Sequence, residues 1–358
     1  MMARTPTADV VIVGCGIAGA TLAETLTCRG MKVVVVDSPL RPAVTRGAGL
    51  IAPVAGRRFG VLEDWPAWWN AAIGLYERHG VVDSIRCVRL LYHADELRFW
   101  ERKQSVLSTQ GLAQSTELPL WLVAAIRPPL TAVEITVRAR IRARDYLDSV
   151  IAQFTSKSRY RTQTVEISQI AIAHDAAHVA DIECAHVVLC EGAWMANTKL
   201  FDWVPRMFAR GQRISGTVER IPIAEPIWLS IRGKSLVLEP SGRFSFGSNY
   251  DWSSSQPTAD EQTRAQLELE LSSIMCARVH VDHQWAGVRP IVADLQPVLG
   301  RHPQLSNVWI FNGLGSRGLL LAPRLAELLA AAIIDGAAIP RQWDVARFAD
   351  RIEHGSTM

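Results

Sequence analysis

Three stretches of the 358-residue chain carry residue types and spacings suited to chemistry. The first is Gly14-Cys15-Gly16-Ile17-Ala18-Gly19, with an acid, Asp37, eighteen residues beyond Gly19. Glycines so spaced permit a tight turn at Gly14, close approach of backbone to a pyrophosphate at Gly16, and helix-to-strand packing at Gly19. Asp37 can accept hydrogen bonds from a ribose hydroxyl. The second stretch, Gly313-Leu314-Gly315-Ser316-Arg317-Gly318, would offer free N–H groups and a positive dipole end if it feeds a helix. The third holds Arg289, whose planar guanidinium can grip a carboxylate through two parallel hydrogen bonds, on backbone stiffened by Pro290.

Such residues act only if the right elements hold them. The β-branched run 9–14 reads as a buried strand, followed by an apolar-periodic helix to about Arg29 with Gly30 as its stop. The run 32–37 supplies a second strand ending on the acid. The fingerprint therefore stands in its required strand–helix–strand context. It does not separate NAD from FAD; its position at the N-terminus, with no second GxGxxG downstream, fits one tightly held FAD better. Val308–Phe311 reads as a strand before the second glycine loop, and a long helix follows toward Ile334 with Pro323 in its early turns. The alternation beginning at Val165 reads as a strand, and Glu191-Gly192-Ala193 as the end of another beside the dinucleotide site.

Composition sets the bounds. With 49% hydrophobic residues, 20% charged and a net charge of +3, the chain builds a sizeable core, and charge makes no case for nucleic acid or an anionic membrane. The length suggests two domains or one interleaved unit. None of the six cysteines forms a CxxC pair, which argues against a disulfide scaffold or structural zinc. Neither a signal peptide nor a spanning segment is recognised, so a cytoplasmic protein with no membrane partner is expected. Arg138, Arg140, Arg142 and Arg144 would form a basic stripe on a strand, either a phosphate-contacting surface or, the preferred reading, a solvated face. Trp65, Trp68 and Trp69 could wall a pocket or fill a core, and the core is favoured.

Further stretches carry a resemblance. Thr45-Arg46-Gly47-Ala48-Gly49-Leu50-Ile51-Ala52-Pro53, Ala286–Pro290 continuing to Leu299-Gly300, and Asn307–Leu319, taken with the N-terminal motif, resemble the FAD-dependent D-amino acid oxidase / glycine oxidase family across the whole chain. Arg210-Gly211-Gln212, Gly242–Ser248 and Val187–Trp194 fit as well. Gly313–Gly318 is especially similar to the oxidase half of the bifunctional enzyme that matures 5-carboxymethylaminomethyl-2-thiouridine in tRNA, though no methyltransferase half is read here.

The resemblance implies an α/β (mixed α+β) fold: a Rossmann-like FAD-binding domain from 1–60, 138–215 and 286–358, interleaved with an antiparallel-sheet substrate domain from 61–137 and 216–285. FAD would touch Gly14, Gly16, Ile17, Ala18, Gly19, Asp37, Ser38, Thr45, Arg46, Ala48, Gly49 and Leu50. Backbone at Val165 would lie by the adenine, Gly192 beside the cofactor, and Gly313, Leu314, Gly315, Ser316, Arg317 and Gly318 beside the flavin pyrimidine. Arg289 would hold the substrate carboxylate, with Tyr250 reaching the same pocket. The implied reaction oxidises a C–N bond of a small amino acid or carboxylate-bearing secondary amine, by hydride transfer to flavin N5, giving an imine that hydrolyses. Alternatives are removal of the carboxymethyl group from a modified tRNA wobble uridine, which keeps tRNA as a second-choice partner, or a flavin subunit of a larger amine dehydrogenase. The related monomeric sarcosine oxidases bind flavin through a cysteine, but none follows Arg289 here, so FAD is expected to be noncovalent. Their lysine for oxygen reactivity is matched by Ser245, leaving O2 or another electron acceptor open, as is the oligomeric state.

Overall fold

The computed structural model describes residues 7–39, 43–173, 176–194, 199–219 and 221–352. Two eight-stranded sheets organise the chain. In the first, Ala8–Val13 lies parallel between Val33–Asp37 and Ile182–Leu189, with Val10 opposite Val33 on one side and His186 on the other. Tyr160–Thr162 extends the sheet beyond Val33–Asp37, and Val308–Asn312 runs parallel to Ile182–Leu189. A sheet buried on both faces selects continuous β-branched runs, and Val10, Val11, Ile12, Val33 and Val35 are fully buried.

Helices Ile17–Cys28, Trp65–Arg78, Ala143–Ser156 and Gly318–Asp335 share one continuous apolar core against a face of this sheet. The first stops as its sequence predicts, with Arg29 capping and Gly30 at φ +86°. Pro323 sits well inside the last helix, where it removes the N–H that would bond to the Leu319 carbonyl. The buried Tyr76 hydroxyl donates to that carbonyl at 2.9 Å, so the break in the ladder is repaired by a neighbouring helix.

The second sheet has the order Val279–Val292, Arg206–Val218, Arg243–Gly247, Lys234–Leu238, Ile227–Ile231, Arg86–Leu91, Thr131–Ile135, Ala113–Ser115. It is antiparallel except where Ile227–Ile231 runs parallel to Arg86–Leu91. Its two longest strands pair along their whole length, Ala209 opposite Arg289 and Arg213 opposite Trp285. Residues 206–215 and 286–292 thus run in this second sheet. Among the described residues, no helix is long and apolar enough to cross a membrane.

Two expectations of local structure are corrected. Val165 is not in a strand: residues 163–166 are loop, a 3-10 turn covers Ile167–Gln169, and the strand is only Ile170–Ile172. Glu166 and Gln169 cap that turn reciprocally, and this local polar pairing overrides the apolar alternation. The four alternating arginines do not form one stripe either, because the strand covers Ala139–Ile141 alone and a helix begins at Ala143. Arg138 pairs with Glu134, Arg140 with Glu239, and Arg142 with Asp83 and Asp145. Trp68 is buried edge-on to Trp343 within the helical core, and Trp69 packs against that core.

Candidate active site

A cavity of about 1310 Å³ lies along the seam of the two sheets. Its cofactor-like end is built by the first βαβ unit. Gly14 has φ +98°, and a Cβ there would sit 2.6 Å from the Cys190 carbonyl. A Cβ on Gly19 would sit 1.9 Å from the Gly14 carbonyl, so only glycine lets the helix close on the turn. Helix Ile17–Cys28 carries no side-chain cap and no acid in its first turn, leaving its N–H groups for an anion. Asp37 accepts from the Cys15 backbone N–H at 2.9 Å and the Tyr160 hydroxyl at 3.2 Å, and burial raises its pKa despite those bonds.

The second glycine loop closes the opposite wall. Helix Gly318–Asp335 also has no side-chain cap. The Gly315 N–H donates to the Pro290 carbonyl at 3.0 Å, joining this loop directly to the strand that bears Arg289. Asn312 donates through Nδ2 to the Gly192 carbonyl at 3.0 Å and accepts from the Gly313 N–H at 2.8 Å, tying two predicted segments together.

Most of the sequence-predicted residues meet at this cavity. Gly14, Gly16, Ile17, Ala18, Asp37 and Ser38 line one stretch; Ala48, Gly49 and Leu50 the next. Val165 lines it from its loop, and Gly192 not from the expected strand end, since that strand stops at Leu189, but from the start of the 3-10 turn Gly192–Trp194. Leu314, Gly315, Ser316, Arg317 and Gly318 form the second-loop wall. Gly19, Thr45 and Gly313 are not in the lining. Gly19 serves packing, as does Gly313, where a Cβ would meet Val292 at 2.8 Å. The Arg46 side chain lies outside the described residues.

Arg289 and Tyr250 both line the cavity. The guanidinium lies 4.0 Å from the Tyr250 ring centroid. Its Nη1 donates to the Asn249 and Ala209 carbonyls at 3.2 and 3.5 Å, and its Nη2 to the Ser248 hydroxyl. Burial lowers the pKa of Arg289, and among the described residues no carboxylate pairs with it. The sequence reading gave no role to Gly211, Arg213, Trp228, Trp285 and Ser248, which line the same cavity. A Cβ on Gly211 would fall 2.4 Å from Arg289 Nη2, so the guanidinium occupies the space a side chain would take. The available signal was strand periodicity: once Arg289 faces the cavity, Gly287 and Trp285 must share its face.

Comparison with known proteins decides the family. The model of the FAD dependent oxidoreductase family matches residues 9–332. The chain belongs to that family. It is an FAD-dependent enzyme, and the cavity fits the cofactor: two uncapped helix ends, a Gly14 turn that no side chain could enter, and Asp37 at the strand end. Glycine oxidase of Pseudomonas aeruginosa is 22% identical over 361 residues, covering 90% of this chain and 93% of that protein. A tRNA 5-methylaminomethyl-2-thiouridine biosynthesis bifunctional protein of Caulobacter sp. is 25% identical, over 91% of this chain but 54% of its own length. The crystal structure of glycine oxidase from Geobacillus kaustophilus shares the fold with a TM-score of 0.76 at 19% identity, covering 96% of this chain and 98% of that one.

Proposed function

We propose that the protein oxidises the C–N bond of a small amino acid or carboxylate-bearing secondary amine. The observation that carries this reading is Arg289. It is a half-buried guanidinium bonded, among the described residues, only to neutral oxygens, one backbone hydrogen bond away from the glycine loop that lines the cofactor cavity. A cation so placed wants an anion, and a carboxylate answers its planar geometry. FAD, when bound, supplies a two-electron acceptor at flavin N5.

Arg289 fixes the substrate through its carboxylate, Tyr250 buttresses the guanidinium face, and Trp285 screens the reacting carbon from water. Among the described residues the lining holds two carboxylates, Asp37 and Glu191, and no histidine. With no histidine there to take a proton, the substrate would react as the neutral amine: bound FAD would accept the α-hydrogen with its electron pair, the nitrogen proton would pass to water, and the imine would hydrolyse to an oxo acid and ammonia or an amine. Dioxygen or another acceptor takes the electrons onward. Cys87 and Cys190 line the cavity, and burial pushes both thiols well up, which disfavours either as the thiolate of a flavin link and supports noncovalent FAD.

Anaerobic mixing of the flavoprotein with amino acids and N-substituted glycines tests this. The expected result is bleaching of the flavin band by a carboxylate-bearing amine, weakened in Arg289→Gln. Equal bleaching by carboxylate-free amines would overturn it.

A second reading, oxidation of a carboxymethylaminomethyl group on a tRNA uridine, draws on Tyr250 and Trp252. Their rings stack at 6.0 Å, with Tyr250 on the cavity lining, and they are 47% and 51% exposed, as a base-stacking platform would be. Against it, the arginines at 138, 140 and 142 are occupied by carboxylates. Salt-dependent binding of tRNA would favour this second reading.

A further inference from the structure

Arg213 is the unexplained residue of the cavity. It is 7% exposed, yet no carboxylate pairs with it among the described residues. A guanidinium has five N–H donors. Here four hydrogen bonds are formed, all to neutral oxygens: Nε to Ser245 Oγ at 3.3 Å, Nη2 to Ser245 Oγ at 2.9 Å and to Ser245 O at 3.4 Å, and Nη1 to Gly247 O at 2.9 Å. Among the described residues one Nη1 N–H has no partner. A buried charge without a counter-charge is costly, so a guanidinium in this position calls for an anion that arrives from outside.

The register shows where that anion would lie. Arg213 stands opposite Gly247 on one side and Trp285 on the other, and all three line the cavity. Across the same rung follow Ser235, Ser230 and Arg89, so the wall is polar along its length. Arg89 already has an acidic neighbour, Glu96, at 3.9 Å. Gly211, against which the Arg289 guanidinium lies, is two residues before Arg213 on one strand, about 7 Å away. Arg213 and Arg289 therefore stand side by side on the substrate wall, whereas the βαβ turn and the second glycine loop belong to the other sheet. Burial first, then Arg289 and Arg140, lower the pKa of Arg213 to about 10, and it remains charged at neutral pH.

We propose that the substrate is a dicarboxylic amine, an amino acid with an acidic side chain or a secondary amine between two carboxylates, whose second carboxylate is held by Arg213. This rests on the assignment of the first carboxylate to Arg289. Arg213 is a specificity-determining residue: it selects dianionic over monoanionic substrates.

The test is equilibrium titration of the flavoprotein, followed by perturbation of the flavin absorbance, with unreactive acids of one carboxylate (acetate, propionate) and two (malonate, succinate). Dicarboxylates are expected to bind at least about tenfold tighter, as one added charge-assisted contact requires. Arg213→Gln, whose side-chain amide can keep part of the bonding to Ser245, should collapse that difference; Arg213→Lys should restore part of it. If monocarboxylates bind through Arg289 and a second carboxylate adds nothing in the wild-type protein, this inference falls and the amine-oxidising reading stands. If no carboxylate binds, and Arg289→Gln changes nothing, both fall. Loss of flavin affinity in Arg213→Gln with the dicarboxylate preference intact would also overturn it.

Discussion

Gly211→Ala should disable Arg289, the proposed carboxylate clamp, without replacing it. The glycine's φ lies outside the left-handed region, so alanine strains no backbone there. Its new Cβ would lie 2.4 Å from Arg289 Nη2 and 2.7 Å from both Cζ and Nη1. Normal contact between such atoms needs about 3.5 Å, so the guanidinium must retreat by about 1 Å. It is the far end of a flexible side chain, so the arginine yields and the strand does not. The retreat breaks the bonds to Ser248 and Asn249 and the stacking on Tyr250 that aim it. Hydrogen bonds to a charged group contribute about 1.5–3 kcal/mol, so loss of the aligned pair should weaken carboxylate binding about 10- to 100-fold. Folding stability should change by less than about 1 kcal/mol, since alanine also reduces the freedom of the unfolded chain. The assay pairs a thermal melt with the dissociation constant of acetate, read from the flavin spectrum, and with KM and kcat for the reacting amine. A variant that binds acetate as tightly as the wild type would refute both the placement of the guanidinium over Gly211 and its role as the clamp.

Three further outcomes follow from the packing. Tyr76→Phe should lower stability by about 1–3 kcal/mol by orphaning the Leu319 carbonyl, and much less so in a Pro323→Ala background, where the helix provides its own N–H; melts of the double-mutant cycle measure this. Gly19→Ala, with its Cβ 1.9 Å from a backbone oxygen, should abolish flavin retention or folding, read as flavin content after gel filtration. Asp251 is held at about 2, chiefly by the hydroxyl and backbone N–H of Ser253 and then by Arg210. Its pKa is depressed on folding, so its stabilisation is full above about pH 4 and is lost as pH falls toward 2. Asp251→Asn should therefore expose the loop that carries Tyr250 to proteolysis at neutral pH, while the wild-type loop becomes sensitive only near pH 2.

How much was legible depended on how local each interaction is. The helix boundaries around Gly30 and the strands at 8–13 and 33–37 follow from apolar runs and from glycine's tolerance of positive φ, both properties of adjacent residues. Val165 was misread because its alternation suits a strand, while the Glu166–Gln169 cap suits a turn, and the cap prevailed. The arginines at 138–144 were ambiguous because their partners, Glu239 and Asp83, are remote in sequence.

The glycine-lined end of the cavity was legible in the sequence itself. Nucleotide phosphates are bound by backbone at a strand–helix turn, so the glycines that permit the turn are neighbours in the chain and mark it. The substrate wall was decided by the tertiary structure alone. Gly211 and Arg213 meet Arg289 and Trp285 only because two strands more than sixty residues apart pair in one register, and a shift of one residue would turn every one of those side chains to the opposite face.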